Sequence, residues 1–173
     1  MSPIIKRDFT AAKERLYDKC NFSYTSPTEE EGSAYGAALF RLNDLIVRMR
    51  TAKITPKKIG QFVTLWKRNK EGKTEPYHIS DPFDLCVINV RNNTLFGHFV
   101  FPKTILAKHR IVSTEKSQGK RGIRIYPPWS NPTSKQAQKT QKWQSAYFIS
   151  LSEENKTNFT HAKKLYAKNL KIL

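Results

Sequence analysis

The chain has 173 residues, a length that favours one domain, and its 31 Lys plus Arg against 14 Asp plus Glu give a formal charge of +17. With 38% apolar residues, including 3 Trp, 7 Tyr and 10 Phe, it has the material for a core, which excludes a disordered polybasic tail. The longest apolar runs are short, as in Leu85-Cys86-Val87-Ile88, the N-terminus lacks an apolar signal core, the only cysteines are Cys20 and Cys86, and His78, His98, His109 and His161 are scattered, so no membrane span, secretory leader, disulfide framework or zinc site is expected.

From Pro3 to Cys20 the apolar Ile5, Phe9, Ala12 and Leu16 recur at helical intervals and predict an amphipathic helix. A polar connection over Asn21–Thr28 leads to a second expected helix from Glu29 to about Leu42. Its acidic start suits the helix dipole, and Ala34, Ala37, Ala38 and Phe40 supply its packing face. Strands are expected over Leu45–Ala52, Ile59–Arg68 and Asp84–Val90, the last apolar enough to be covered on both faces. Leu95–Phe101 pairs with it across Arg91-Asn92-Asn93-Thr94, and a short helix from Pro102 or Lys103 reaches about Lys108. After a polar stretch around Ser113–Gly119, Gly122–Tyr126 reads as a strand stopped by Pro127-Pro128. Ser134 caps a helix over Lys135–Phe148, and Ser152 opens a last helix through about Asn169. The order gives one α/β (α+β) domain over residues 1–173, a mixed sheet of four to five strands flanked by helices.

Charge is distributed unevenly. Residues 1–50 hold 8 Lys or Arg against 7 acids, whereas residues 101–173 hold 15 against 3. So local a surplus creates a positive field that attracts polyanions. Lipidation is not expected: Ser2 stands where myristoylation needs Gly, and Lys171-Ile172-Leu173 is no prenylation box. A soluble cytoplasmic protein whose partner is nucleic acid and not membrane is the expectation.

Three segments interleave cations with aromatic or polar side chains. In Ala52-Lys53-Ile54-Thr55-Pro56-Lys57-Lys58 the lysines sit on a turn, within reach of phosphate oxygens. In Gly119 to Trp129, a strand places Arg124 and Tyr126 on one face and Ile123 and Ile125 on the other, while the glycines allow a close approach of ligand to backbone. Guanidinium for phosphate and ring for base suit nucleic acid. In the third, a helix aligns Lys135, Lys139 and Lys142 as one stripe and Gln136, Thr140 and Trp143 as its neighbour.

Ala52-Lys53-Ile54-Thr55-Pro56-Lys57-Lys58-Ile59-Gly60-Gln61-Phe62-Val63-Thr64-Leu65-Trp66-Lys67-Arg68 resembles the longest signature of the MepB family. The blocks at 97–103, 119–122, 126–129 and 136–144 resemble its others, in order, over about Glu31–Phe148. Members are small bacterial proteins whose family name is tied to multidrug efflux. The resemblance implies a fold like that of restriction endonucleases.

Nucleases of that fold hold a divalent metal with carboxylates on two adjacent strands and a lysine two residues after the second, because hard oxygen ligands hold Mg²⁺ against the phosphoryl charge. Asp84 is placed to be the first carboxylate, and Glu31 is expected to approach from the preceding helix. The next strand holds no acid: His98 occupies the acidic position, Val100 stands where the lysine belongs, and Lys103 lies further on. The expectation is a scaffold that binds DNA rather than RNA with a degenerate active site and no cofactor. Lys53, Lys57, Lys58, Arg68, Lys120, Arg121, Arg124, Lys135, Lys139 and Lys142 would meet phosphates. Gln136 and Thr140 would hydrogen-bond, and Tyr126, Trp129 and Trp143 would stack on unpaired bases. The alternatives are an Mg²⁺-dependent nuclease using Glu31, Asp84, His98 and Lys103, a protein-interaction module linked to efflux regulation, or a small-molecule pocket.

Overall fold

Pro3 opens helix α1 (Pro3–Ala12), where a missing N–H costs nothing, and Ile5, Phe9 and Ala12 turn inward. This computed structural model describes residues 1–168. A π turn over Lys13–Tyr17 extends α1 and carries Leu16 and Tyr17 into the core, so the helix stops short of Cys20.

The helix expected over Glu29–Leu42 does not form. Strand β1 (Thr28–Glu29), a 3₁₀ turn at Ser33–Tyr35, and strands β2 (Ala38–Leu42) and β3 (Leu45–Thr51) stand there instead. Gly32 and Gly36 both take left-handed φ (89° and 72°), which ends any helix between them. From Ala38 onward burial alternates with period two through Phe40 and Leu42, the signature of a strand.

The chain continues through β4 (Lys53–Thr55), β5 (Lys58–Thr64), β6 (Lys67–Arg68) and β7 (Thr74–Glu75), then the hairpin β8 (Leu85–Asn92) and β9 (Leu95–Pro102). Helix α2 (Lys103–Lys108) leads to β10 (Gly122–Ile125), α3 (Lys135–Ser145), β11 (Phe148–Ser150) and α4 (Phe159–Leu165). The main sheet is mixed, as expected, and has six strands in the order β1-β2-β3-β8-β9-β11, with β3 and β8 parallel and the other pairs antiparallel. A smaller antiparallel sheet has the order β10-β5-β4, and β6 pairs with β7. The strand expected over Ile59–Arg68 is therefore two, β5 and β6.

Two helix ends also differ. α3 stops at Ser145, Ala146 and Tyr147 form a turn, and Phe148, expected as its last residue, opens the edge strand β11 on β9. Gly97 makes this possible: a Cβ there would lie 2.4 Å from the Phe148 ring. Ser152 does not begin a helix; its buried hydroxyl bonds the backbone N–H and C=O of Phe96. α4 begins only after Asn158, whose side chain accepts the His161 N–H. The expected end at Asn169 lies outside the described residues.

The core lies against β8 and β9, where Ile88, Val90, Phe99, Val100 and Phe101 are fully buried. It also encloses charge. The Asp8 carboxylate, fully buried, accepts bonds from Arg91 Nε (2.7 Å), Arg7 Nε (2.8 Å) and Thr51 Oγ1 (2.8 Å), tying α1 to β3 and β8. His98 is fully buried too, with Nε2 at 3.2 Å from the Tyr166 hydroxyl and its ring against Tyr17, and burial pushes its pKa down to about 3.

Two stability measurements follow. Asp8→Ala removes the carboxylate and leaves Arg91 and Thr51 unpaired, so urea unfolding should show a loss of about 2–3 kcal/mol. The unfolded His98 takes a proton below pH 6.5, whereas the folded one resists until about 3. Stability contributed by the neutral ring is therefore complete above pH 6.5 and drains away as pH falls, by about 2 kcal/mol at pH 5. A His98→Gln variant should lose that part of the acid sensitivity when urea midpoints are compared at the two pH values.

Candidate nucleic-acid interface

The small sheet is built around its outward face. In β10, Ile123 and Ile125 are buried, while Arg124 and Tyr126 share the other side, as strand alternation requires. Arg124 pairs with Phe62 of β5, and Gly122 with Thr64. Gly60, at φ 83°, lies under the Tyr126 ring, where a Cβ would come within 2.8 Å. Gln61 faces inward and donates to the Arg91 carbonyl (3.0 Å), which joins the small sheet to β8.

Helix α3 packs beside this face. Ser134 caps it by accepting the Ala137 N–H (3.1 Å). The buried Gln144 clamps it to β10: its Nε2 donates to the Arg124 carbonyl (3.0 Å) and its Oε1 accepts the Tyr126 N–H (2.8 Å). Between sheet and helix runs an open groove of about 700 Å³. Lys58 and Phe62 of β5, Lys120, Arg124 and Tyr126 around β10, and Gln136, Lys139, Thr140 and Trp143 of α3 line it, together with His109 and Ile111. Among the described residues that line it there is no Asp or Glu.

The cations in the groove are uncompensated. Lys58, Lys120, Arg124 and Lys139 form no ion pair with a described residue. Arg124 is steadied by neutral acceptors instead, Thr55 Oγ1 at 3.0 Å and the Ile59 carbonyl at 3.2 Å. His109 lies parallel to Trp143 (centroids 3.8 Å apart, 9° between planes), and burial, with Lys108 beside it, lowers its pKa.

Of the residues singled out from the sequence, the groove gathers Lys58, Lys120, Arg124, Tyr126, Gln136, Lys139, Thr140 and Trp143. Lys57 is exposed on the β4–β5 turn, and Lys53 lies over the Tyr35 ring at 3.8 Å. Lys135 and Lys142 are exposed on α3 outside the groove, so the expected lysine stripe contributes only Lys139. Arg121 turns towards Thr74 (3.4 Å). Arg68 is held by both oxygens of Glu31, and Trp129 packs edge-on against Phe148. Trp143 already stacks on His109 and packs against Phe101.

The glycines, too, serve the protein itself. The Phe62 ring fills the space over Gly122, and the Ile111 carbonyl that over Gly119. Phe62, His109 and Gln144 were not foreseen. An exposed aromatic in an alternating strand was the only available signal for Phe62, and nothing local marked the other two.

Of the four residues of the nuclease alternative, Asp84 and Lys103 are neighbours and His98 is set apart from them. Asp84 accepts the Ile46 N–H (2.8 Å) at the start of β8, and its carbonyl accepts the Lys103 N–H (3.0 Å). Lys103 Nζ is bound to the Asp81 carbonyl (2.7 Å). His98 pairs with Asn89, five residues along β8 from Asp84, or about 17 Å of strand, and lies in the core. Glu31 is occupied by Arg68. Among the described residues no three His, Cys, Asp or Glu side chains gather as a metal-holding group.

Residues 29–150 match the family described as MepB-like. A crystal structure of MepB is 35% identical, covers 77% of this chain and 89% of its own, and superposes with a TM-score of 0.73. A bacterial homing endonuclease is similar at 15% identity over 82% of this chain and 91% of its own, with a TM-score of 0.43, too slight a likeness to bear on activity. No curated protein matches the sequence.

Gln144 is the test of how the groove is held. Gln144→Ala leaves a buried N–H and a buried C=O without partners, and urea unfolding should report a loss of about 2 kcal/mol.

Proposed function

We propose that this chain, which belongs to the MepB-like family, is a nucleic-acid-binding protein that grips the phosphate backbone in the groove between its small sheet and α3. The observation that carries the reading is the groove's composition: Lys58, Lys120, Arg124 and Lys139 converge from three places in the sequence on a cleft whose described lining has no carboxylate. Fixed cations with no internal counter-charge are what a polyanion displaces mobile ions to reach. Gln136 and Thr140 add hydrogen-bonding groups for sugar or phosphate oxygens, and Tyr126 and Phe62 add rings. Contacts of this kind carry little sequence information, so weak sequence preference is part of the reading. DNA is the proposed ligand.

The binding role is preferred to a cutting one because Asp84, Glu31, His98 and Lys103 are each engaged by other groups of the protein and stand apart from the groove. No cofactor is required for it; Mg²⁺ belongs only to the nuclease alternative. No helix among the described residues is long and apolar enough to cross a membrane.

A salt titration tests the proposal. For a short labelled DNA duplex, log affinity should fall with log salt with a slope of about −3 to −4, near −0.9 for each of the four cations. Lys139→Glu should weaken binding at fixed salt and make the slope shallower. Affinity indifferent to salt, or no binding, would overturn it.

A further inference from the structure

At the end of α2 the backbone makes a turn that calls for glycine. The Ile111 N–H bonds the Leu106 carbonyl (2.8 Å) and the Arg110 N–H bonds the Ala107 carbonyl (3.0 Å), the paired bonds of a Schellman motif. The residue between helix and exit must take left-handed φ, and here it is Arg110, at 56°. The other left-handed residues that are not glycine are Asn21, Asn43 and Asn93, whose short amides tolerate the conformation. A long side chain there is strained, and strain retained at one position points to a use for the side chain.

No contact of the side chain repays it. Arg110 is exposed, its backbone N–H serves the turn, and its guanidinium has no hydrogen bond, ion pair or ring contact with a described residue. Its two neighbours in the chain, His109 and Ile111, both line the groove.

We infer that Arg110 is a nucleic-acid-contacting residue, its guanidinium meeting a backbone phosphate where the groove runs past the end of α2. The inference rests on the phosphate-gripping role of the groove and adds a cation from an element not otherwise assigned to binding. Its guanidinium can take two phosphate oxygens at once, which a lysine cannot.

The test exploits the strain. R110G, made in the full chain, should leave the unfolding temperature unchanged or raise it by up to about 4 °C, because glycine suits the turn. The same variant should bind the labelled DNA duplex several-fold more weakly, with a salt slope shallower by about 0.9. R110N, which also tolerates the turn, should behave in the same way, and R110K should keep the wild-type slope.

Wild-type affinity and slope in R110G, with Lys139→Glu still impaired, would overturn this inference and leave the groove reading intact. A fall in the R110G unfolding temperature would overturn it too, since Arg110 would then be holding the fold. R110K with the shallow slope of R110G would show that the charge is not what matters and would also overturn it. A wild-type chain that binds no DNA would remove both readings.

Discussion

Lysines and arginines facing one another across an open cleft repel, and the architecture around the groove answers that repulsion. Two unit charges 4 Å apart cost about 1 kcal/mol in water and more where solvent is restricted. Lys58, Lys120, Arg124 and Lys139 have no carboxylate among the described lining residues to relieve them. The buried Ile123 and Ile125 anchor β10 from behind, and Gln144 bonds that strand to α3 through two backbone groups. Neutral oxygens of Thr55 and Ile59 hold the Arg124 guanidinium without cancelling its charge. A polyanion in the groove relieves the repulsion and so adds to the stability of the fold that arranged it.

The acids are placed elsewhere, and consistently so. Asp8 satisfies Arg7 and Arg91 beneath α1, Glu30 takes both Arg48 and Arg50, Glu31 takes Arg68, and Asp81 takes Lys67. Glu153 reaches back to Arg15. Pairing of this sort joins the N-terminal half to the sheet and neutralises its cations locally. The groove's own cations, Lys58, Lys120, Arg124 and Lys139, are left without such a partner among the described residues. Segregation, more than total charge, makes one cleft electropositive, and it separates Arg68 from Lys120 although both are basic residues in conspicuous segments.

The strands with an unbroken or alternating apolar pattern were legible in the sequence because burial itself imposes that pattern: β3, β8, β9 and β10 stand where their side chains require. So did α3, from its Ser134 cap, and the division of β10 into an Ile123/Ile125 face and an Arg124/Tyr126 face. Residues 29–42 were misread because Ala and Glu favour helix locally. The two left-handed glycines, one of them pressed against Thr51, are decided by tertiary contacts that no window of sequence contains. β11 was hidden for a similar reason, since its edge exists only where Gly97 makes room for Phe148. Within the groove, Arg124 and Lys139 followed from periodicity. Phe62, His109 and Gln144 depend on which elements meet, and the Trp143 ring, expected to stack on bases, is stacked on His109.

Charge segregation also bears on binding versus cutting. A divalent cation is held by hard oxygen ligands, several of them anionic, and phosphoryl transfer needs it beside the scissile phosphate. A field able to draw a phosphate to Lys58, Lys120, Arg124 and Lys139 would repel such a cation, and the described groove lining offers no carboxylate to reverse the sign. Recruiting Asp84 would cost the bond that ties the start of β8 to Ile46 of β3, and recruiting Glu31 would free Arg68. His98 would have to leave the core and its contact with Tyr166. Each step towards a metal centre undoes an interaction that now supports the sheet, whereas gripping a phosphodiester backbone asks nothing of the fold beyond what it already holds in place.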